Sequence, residues 1–385
     1  METMTSRERV LAALNHEEGD RVPIDLGGFQ SGIHLRAYRE LLDYLRRVEE
    51  IQVLDPVQQL AVPSDEILKR FHVDIRYVTA GAPAGFDGRV RQHRRGGQLW
   101  HDLEDEFGVI WSMPDDQRLY MDISHHPLAN ATLRDLEAYP FPKGDDPSRF
   151  TGLRERAPAL SQNRSFALSS GICGVTYEIC WYLRGLERWF LDMVENPAFC
   201  EALLDRTSRF WVDWMEGFLG EVGGLLDVIM IGDDLAGQDG PLFSPSFYRS
   251  VVKPRQRAVI DAIRRRTGAR IWYHTCGSCL DLIPDLLDNG IDILNPVQIG
   301  ARSMDPAVLK KRFGKRLVFW GGGIDSQHIL PFATPEQVRA ETRRNIKTLM
   351  PGGGYVFANV HNIQAGTPPE NVVALYEEAY RSGFY

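Results

Sequence analysis

The chain has 385 residues, of which 43% are hydrophobic and 25% are charged, and its formal net charge is −8 at pH 7. An acidic chain of this composition is typical of a globular protein and lacks the basic face needed for general binding to nucleic acid or anionic membranes. No stretch predicts a membrane span, and residues 1–9 contain no apolar core of a secretory signal. We therefore expect a cytoplasmic protein whose five cysteines, at 173, 180, 200, 276 and 279, are reduced thiols.

The first third of the chain predicts an α/β pattern with one interruption. A capped amphipathic helix follows Thr5, a short strand near residue 24 ends in glycines, residues 35–45 predict a helix and residues 71–78 a second strand. Residues 88–112 are different, because short β-like runs there are separated by glycine pairs and acidic turns. This stretch predicts a small antiparallel β insertion.

From residue 166 onward, strands and helices alternate regularly. Strands are predicted near 168, 229, 272, 294, 319 and 356, and helices at 175–193, 197–219, 245–266 and 280–288 and from 305, 334 and 367. With the two earlier strands, this pattern favours a single (β/α)8 TIM barrel domain over residues 1–385. An open doubly wound sheet is the alternative, but the glycines at 27–28 and 321–323 do not fit its phosphate-binding fingerprint.

The strand near residue 272 ends in a pair of residues that zinc favours. Residues two apart in a strand point to the same side, so His274 and Cys276 project together from its C-terminal end. A third donor would leave one tetrahedral position open, as in catalytic zinc sites. His361, in another strand-end loop, is one candidate, and Cys279, at Cys-x-x-Cys spacing, is the other. A hydrogen-bonded His beside an inert Cys is the alternative without metal.

The other predicted strand ends are rich in polar residues, and in a barrel the loops at these ends build the active site. We expect Asp233 and Asp234 to supply or steer a proton, or to bind the substrate, since neighbouring carboxylates in a cleft differ in pKa. The residues predicted to contact the substrate or to support the metal ligands are Asp25, Gln30, Asn295, Gln298 and Asp325. The alternative for each of them is a capping or solvated turn residue.

Several motifs, taken in order, resemble those of the uroporphyrinogen decarboxylase superfamily, and within it the corrinoid-dependent methyltransferases. They are Arg21-Val-Pro23, residues 232–241, His274-Thr-Cys276-Gly277, Asn295-Pro-Val-Gln298, residues 320–325 and Thr367-Pro-Pro-Glu-Asn371. The resemblance covers nearly the whole chain. It implies one (β/α)8 barrel with the active site at the C-terminal mouth, and it makes a homodimer plausible.

The resemblance also implies a metal and a reaction. In the zinc methyltransferases of the superfamily, a His-x-Cys pair and a later Cys hold the metal; His274 and Cys276 match the pair, and His361 stands where the later Cys is expected. The implied function is methyl transfer between a small methoxy compound or thiol and a corrinoid (cobalamin) carried by a partner protein. A neutral His in place of a thiolate leaves the metal a better Lewis acid, which favours O-demethylation.

Two alternatives to methyl transfer follow from the same resemblance. The decarboxylases use an arginine-containing segment near the N-terminus to hold substrate carboxylates, and residues 25–32 of this chain contain no arginine. That difference argues against a metal-free decarboxylase, which remains the alternative enzyme. The other alternative is a non-catalytic barrel that only docks a corrinoid protein.

Overall fold

The computed structural model describes residues 2–172 and 174–385, so the predicted free thiol of Cys173 lies outside the described residues. Its centre is a sheet in which every neighbouring pair of strands is parallel. In spatial order the strands are β13 (Tyr355–Val356), β12 (Val318–Trp320), β11 (Ile293–Asn295), β10 (Arg270–His274), β9 (Val228–Gly232), β8 (Ala167–Gly171) and β3 (Ile75–Tyr77).

The segment around Ile24 closes this sheet into a barrel. The Phe357 N–H donates to the Pro23 carbonyl and the Asp25 N–H donates to the Phe357 carbonyl, both at 2.8 Å. On the other side, the Asp74 N–H donates to the Ile24 carbonyl at 2.8 Å. The strand predicted near residue 24 therefore lies between β13 and β3, and the predicted TIM-barrel fold class is confirmed.

Helices surround the barrel. They are α1 (Ser6–Leu14), α2 (Leu35–Tyr44), α3 (Asp65–Arg70), α4 (Leu133–Ala138), α5 (Leu153–Leu160), α6 (Glu178–Arg184), α7 (Leu186–Glu195), α8 (Pro197–Val222), α9 (Pro245–Phe247), α10 (Lys253–Arg266), α11 (Ile283–Asp288), α12 (Pro306–Phe313), α13 (Pro335–Leu349) and α14 (Pro369–Ser382). The single helix predicted at 175–193 is wrong, because Gly185 has φ 87° and separates α6 from α7. Only glycine adopts such a φ readily.

Two antiparallel elements are inserted into the α/β pattern. The larger has four strands, β4 (Arg91–Arg95), β5 (Gln98–Glu104), β6 (Ile110–Pro114) and β7 (Asp122–His125). The insertion was predicted to end at residue 112, but its last strand, β7, ends at His125. The sequence did not indicate β7 because this strand is short, largely exposed and without an apolar alternation. The smaller element is a hairpin of β1 (Gln52–Asp55) and β2 (Leu60–Val62), which the sequence did not indicate.

An apolar cluster fills the barrel interior. Trp272 and Trp320 are fully buried there, and their rings stack with centroids 4.5 Å apart. Val10, Ala13 and Leu14 of α1 belong to the same cluster and add to its apolar packing. The interior is therefore a packed core, and the polar chemistry lies at the strand ends.

A buried ion-pair network, the Asp74 clamp, joins α1, the closing segment and β3. The Asp74 carboxylate accepts from Arg9 Nη1 at 2.6 Å and from Arg21 Nη1 at 2.7 Å. It also accepts from the Ile24 N–H at 2.8 Å. All three charged side chains are at most 2% exposed. One carboxylate thus holds both arginines beside the point where the barrel closes.

We expect Asp74→Asn to lower the free energy of unfolding by about 3 kcal/mol, because it removes the buried anion that Arg9 and Arg21 share and leaves them with Asp20 and Glu2 alone. Urea denaturation of the full chain measures the loss. The matched control is Glu66→Gln, which removes an exposed ion pair with Arg47 and should cost no more than about 1 kcal/mol. Equal losses in the two variants would contradict a stabilising role for the clamp.

Candidate metal centre and its cavity

The loop after β10 is held by side chains from two neighbouring strand ends. Gly277 has φ 85°, and a Cβ there would lie 2.4 Å from the Gly237 carbonyl oxygen, so the turn requires glycine. The Cys276 N–H donates to Asp234 Oδ1 at 2.9 Å, and the Gly277 N–H donates to Gln298 Oε1 at 2.6 Å. These two bonds fix the backbone that carries the Cys276 thiol.

Asn295 orients the His274 imidazole. Its Nδ2 donates to the Trp320 carbonyl at 2.9 Å, so its Oδ1 faces the imidazole and accepts from His274 Nδ1 at 2.5 Å. Nδ1 therefore carries the hydrogen, and the lone pair lies on Nε2. That Nε2 is 3.4 Å from Cys276 Sγ. Such a partner on the second ring nitrogen is a usual feature of metal-binding histidines.

The side chain of His361 completes a group of three donors. The ligand atoms of His274, Cys276 and His361 all lie within 4.8 Å of one another. Burial lowers the pKa of His274, and burial together with His274 lowers the pKa of His361 to about 4. Both imidazoles are therefore neutral at pH 7 and can donate lone pairs to a metal.

The donor set fits zinc in type and spacing. Zinc binds nitrogen at about 2.0–2.1 Å and thiolate sulfur at about 2.3 Å, so the two ligands of a tetrahedral site lie about 3.5 Å apart. The observed separation between His274 Nε2 and Cys276 Sγ is 3.4 Å. Cys279, the rival third ligand, is fully buried in the hydrophobic core, and burial raises its pKa to about 12. Among the described residues, the group of three contains His361 and not Cys279.

A cavity of about 540 Å³ adjoins this group. The barrel contributes Gln30, Asp234, His274 and His361 to its walls. The hairpin contributes Asp55, and the larger insertion contributes Asp105 and Trp111. The cavity thus lies between the barrel mouth and the two antiparallel elements, and its volume is in the range of small-molecule sites.

The cavity is acidic and aromatic. Its described lining includes four carboxylates, Asp55, Asp105, Glu178 and Asp234, and no lysine or arginine. Burial raises the pKa of Asp55 and of Asp105. Aromatic rings occupy much of the remaining wall, and they belong to Phe29, Trp111, Tyr120, Tyr182 and Trp211.

Glu178 is a candidate functional residue that sequence reasoning missed. Its Oε2 accepts from the Asp234 N–H at 3.2 Å, and its other oxygen accepts from the Tyr182 hydroxyl. Burial, and then the charge of Asp234, raises the pKa of Glu178 well above its ordinary value. The available signal was its position at the start of a helix that follows a barrel strand, where active-site residues are common. The predicted helix began at residue 175 and therefore placed Glu178 inside the helix.

The two predicted catalytic aspartates occupy different surroundings. Asp234 lines the cavity, with Oδ1 4.0 Å from His274 Nε2. Asp233 is buried, and its oxygens accept hydrogen bonds of 2.6–3.3 Å from Thr176, Tyr177, Glu178, Gln256 and Tyr273. These contacts anchor the start of α6 and hence the position of Glu178. A catalytic role for Asp233 stays a prediction, and its contacts are those of a positioning residue.

The five residues predicted to bind the substrate or to support the metal ligands also occupy different surroundings. Gln30 lines the cavity, whereas Asn295 and Gln298 contact the metal-ligand loop. Asp25 lies inside the barrel, where its Oδ2 accepts from Tyr77 and Trp320 and burial raises its pKa to about 6. Asp325 accepts from the backbone of residues 327 and 328. Direct substrate contact stays a prediction for all five.

No helix within residues 2–172 and 174–385 is both long and apolar enough to cross a membrane.

In structure, the chain is similar to a methyltransferase from Methanosarcina mazei, with a TM-score of 0.64 and 19% identity over 98% of this chain and 99% of that chain. At this identity, the similarity shows a shared fold.

Curated relatives are uroporphyrinogen decarboxylases. The protein from Thioalkalivibrio sulfidiphilus is 27% identical over 40% of this chain and 42% of its own length, and the one from Psychromonas ingrahamii is 24% identical over 52% and 55%. These matches span about half of each relative, whereas the protein from Alkalilimnicola ehrlichii is 21% identical over 98% of this chain and 95% of its own length. The family model described as uroporphyrinogen decarboxylase (URO-D) matches residues 126–382, more than half of the chain. The chain therefore belongs to the uroporphyrinogen decarboxylase family.

Proposed function

We propose that this protein is a zinc-dependent methyltransferase. It would move a methyl group between a small substrate, a methoxy compound or a thiol, and a corrinoid carried by a partner protein. The observation that carries the proposal is the group formed by His274, Cys276 and His361, whose ligand atoms lie within 4.8 Å of one another beside a cavity. The name of the Methanosarcina mazei neighbour adds support.

Three protein donors are the number found in catalytic zinc sites, where the fourth position accepts water or substrate. When bound, zinc would supply Lewis acidity toward the oxygen of a methoxy group, or would favour the thiolate form of a thiol. We favour the methoxy substrate, because His361 is neutral where a second thiolate would reduce the positive charge of the site.

Glu178 is suited to supply the proton that demethylation consumes. When the methyl group leaves, the electron pair of the broken C–O bond stays on the oxygen, which then takes up a proton. The raised pKa of Glu178 favours the protonated form of its carboxyl group, which lies at the wall of the cavity. Asp234 hydrogen-bonds to the Cys276 backbone and so connects the proton donor to the ligand loop.

A decarboxylase of the family type is the second candidate, supported by the names of the curated relatives. A substrate with several carboxylates demands fixed cationic side chains, most often arginine. The described lining of the cavity holds four carboxylates and neither lysine nor arginine. This charge favours the methyltransferase proposal over a porphyrinogen substrate.

Metal content tests the proposed centre directly. We expect about one zinc per chain in protein purified without oxygen or chelators, because catalytic sites of this type hold a single ion. Cys276→Ser and His361→Ala should lose the metal, and Cys279→Ser, a buried thiol outside the group, is the matched control and should keep it. Elemental analysis of the four proteins gives the answer.

Two outcomes of that measurement would contradict the proposal in different ways. Zinc that persists in His361→Ala but is lost in Cys279→Ser would make Cys279 the third ligand. Wild-type protein without metal would remove the methyltransferase mechanism and leave the decarboxylase as the candidate.

The orienting role of Asn295 predicts a graded effect. Asn295→Ala should weaken zinc binding about 10–100-fold, because His274 loses the partner that fixes its tautomer. Asn295→Asp keeps an acceptor for Nδ1 and should restore much of the affinity. Competition with a chromogenic chelator measures both. The control is Asn345→Ala, which removes a buried amide bonded to the Gly323 carbonyl; an equal loss there would show a general packing effect.

Activity tests the role of Glu178. We expect methyl transfer from methoxy compounds to free cob(I)alamin to fall about 10²–10⁴-fold in Glu178→Gln, as for loss of a general acid. The zinc content of that variant should stay unchanged, and absorbance of the corrinoid reports the rate. Full activity in Cys276→Ser would contradict the metal mechanism, and full activity in Glu178→Gln would contradict the proton donor.

A further inference from the structure

Three carboxylates of the cavity wall lack the cationic partners that the buried Asp74 and Asp192 have in this protein. Asp74 is paired with two arginines, and the buried Asp192 is paired with Arg184 at 2.7 Å. Within the described residues, Asp55, Asp105 and Glu178 form no ion pair with lysine or arginine, and neither residue type lines the cavity. The described lysine and arginine side chains therefore supply no positive charge to the wall that carries these carboxylates.

Neutral groups hold these carboxylates in place. Asp105 accepts from the backbone N–H groups of Phe107 and Val109 at 2.9 and 3.0 Å, and from Trp111 Nε1 at 3.0 Å. Glu178 accepts from the Tyr182 hydroxyl and from the Asp234 N–H. For Asp105, these bonds fix the orientation of the carboxylate without placing a positive charge beside it.

Trp111 and Tyr182 form an aromatic corner in the cavity wall. Their ring centroids are 5.1 Å apart and their planes meet at 79°, so two ring surfaces stand nearly at right angles. Each ring donates a hydrogen bond from its edge to a carboxylate, Trp111 to Asp105 and Tyr182 to Glu178. The Asp105 carboxylate at the edge of Trp111 adds to the electron density of that ring and so strengthens its attraction for a cation, while Glu178 fixes the orientation of Tyr182.

The aromatic corner and the metal ligands belong to one cavity. Glu178 is bonded to the backbone of Asp234, and Asp234 in turn accepts from the Cys276 N–H and lies 4.0 Å from His274 Nε2. In a cavity of about 540 Å³, a small molecule can occupy both ends at once.

We propose that the small substrate is an organic cation, an alkylated ammonium compound whose charged end lies against Trp111 and Tyr182 while its reactive end faces His274 and Cys276. Alkylated ammonium groups spread their charge over methyl groups and are bound by aromatic faces backed by carboxylates. This inference rests on the proposed function only in placing the reactive end beside the metal ligands. Recognition of the cation does not depend on the metal.

The test compares two ligands that differ in charge and hardly in shape. They are (2-methoxyethyl)trimethylammonium and its carbon isostere, 1-methoxy-3,3-dimethylbutane, and their binding to the full chain is measured by calorimetry. The cation should bind about tenfold more tightly or better, the gain expected from a partly desolvated cation–π site. Equal binding of the two ligands would overturn the proposal.

Variants separate the charge effect from general damage to the site. Asp105→Asn removes the charge at the edge of Trp111; it should weaken binding of the cation several-fold and leave binding of the neutral isostere unchanged. Trp100→Ala, in the same antiparallel sheet but outside the described cavity lining, is the matched control and should change neither. Equal weakening of both ligands in Asp105→Asn would overturn the proposal.

The outcome is distinguishable from failure of the methyltransferase assignment. Cys276→Ser should keep its preference for the cation even if it has lost its metal and its activity. A wild-type protein without zinc that still prefers the cation would support the recognition and contradict the proposed reaction. Loss of the preference for the cation in Cys276→Ser would show that its recognition depends on the metal ligands and would overturn the proposal.

Discussion

Closure of the barrel is the constraint on which the rest of the structure depends. A parallel sheet places the C-terminal ends of all its strands at one edge, and closure brings that edge into a ring. The segment at Ile24 completes the ring through backbone hydrogen bonds to β13 and β3, and the Asp74 clamp holds the neighbouring chain with buried charges. Because of this closure, His274 and His361 contribute to one group although they are far apart in the sequence.

How far the sequence predicts this molecule depends on the range of each interaction. Alternating strands and helices indicate the barrel, and the spacing of His274 and Cys276 predicts their common direction, because both are local patterns. Whether Asp233 faces the cavity or is buried is decided by its hydrogen bonds to residues 176–178, at the start of α6, which no local pattern reports. The same holds for β7, whose exposed residues show no apolar alternation. Glu178 was missed because the helix was predicted to begin at residue 175, which placed Glu178 inside the helix and not at its start.

The polar residues of the mouth divide by what they contact. Asn295 and Gln298 bond to the loop and ring that carry the metal donors, so they act through His274 and Gly277. Asp234 and Glu178 face the cavity, where burial and the charge of Asp234 raise the pKa of Glu178. A place at a strand end does not by itself put a residue in the site, since Asp25 and Asp325 lie outside the cavity lining. The hydrogen-bond partner decides whether a residue supports the candidate ligands or lines the cavity.

The walls of the cavity come from separate stretches of chain. All three candidate metal ligands belong to the barrel, His274 at the end of β10 and the other two in loops, whereas Asp105 and Trp111 belong to the antiparallel insertion. The insertion contacts the His361 loop through Tyr120, whose hydroxyl accepts from Gln364 Nε2 at 2.9 Å and from Asn362 Nδ2 at 3.3 Å, whereas Asp105 and Trp111 are bonded to each other. Asp105 and Trp111 can therefore diverge in sequence without altering that contact. In a family built on one barrel, such an arrangement lets new substrates be acquired by changing a surface element while the reactive centre is inherited intact.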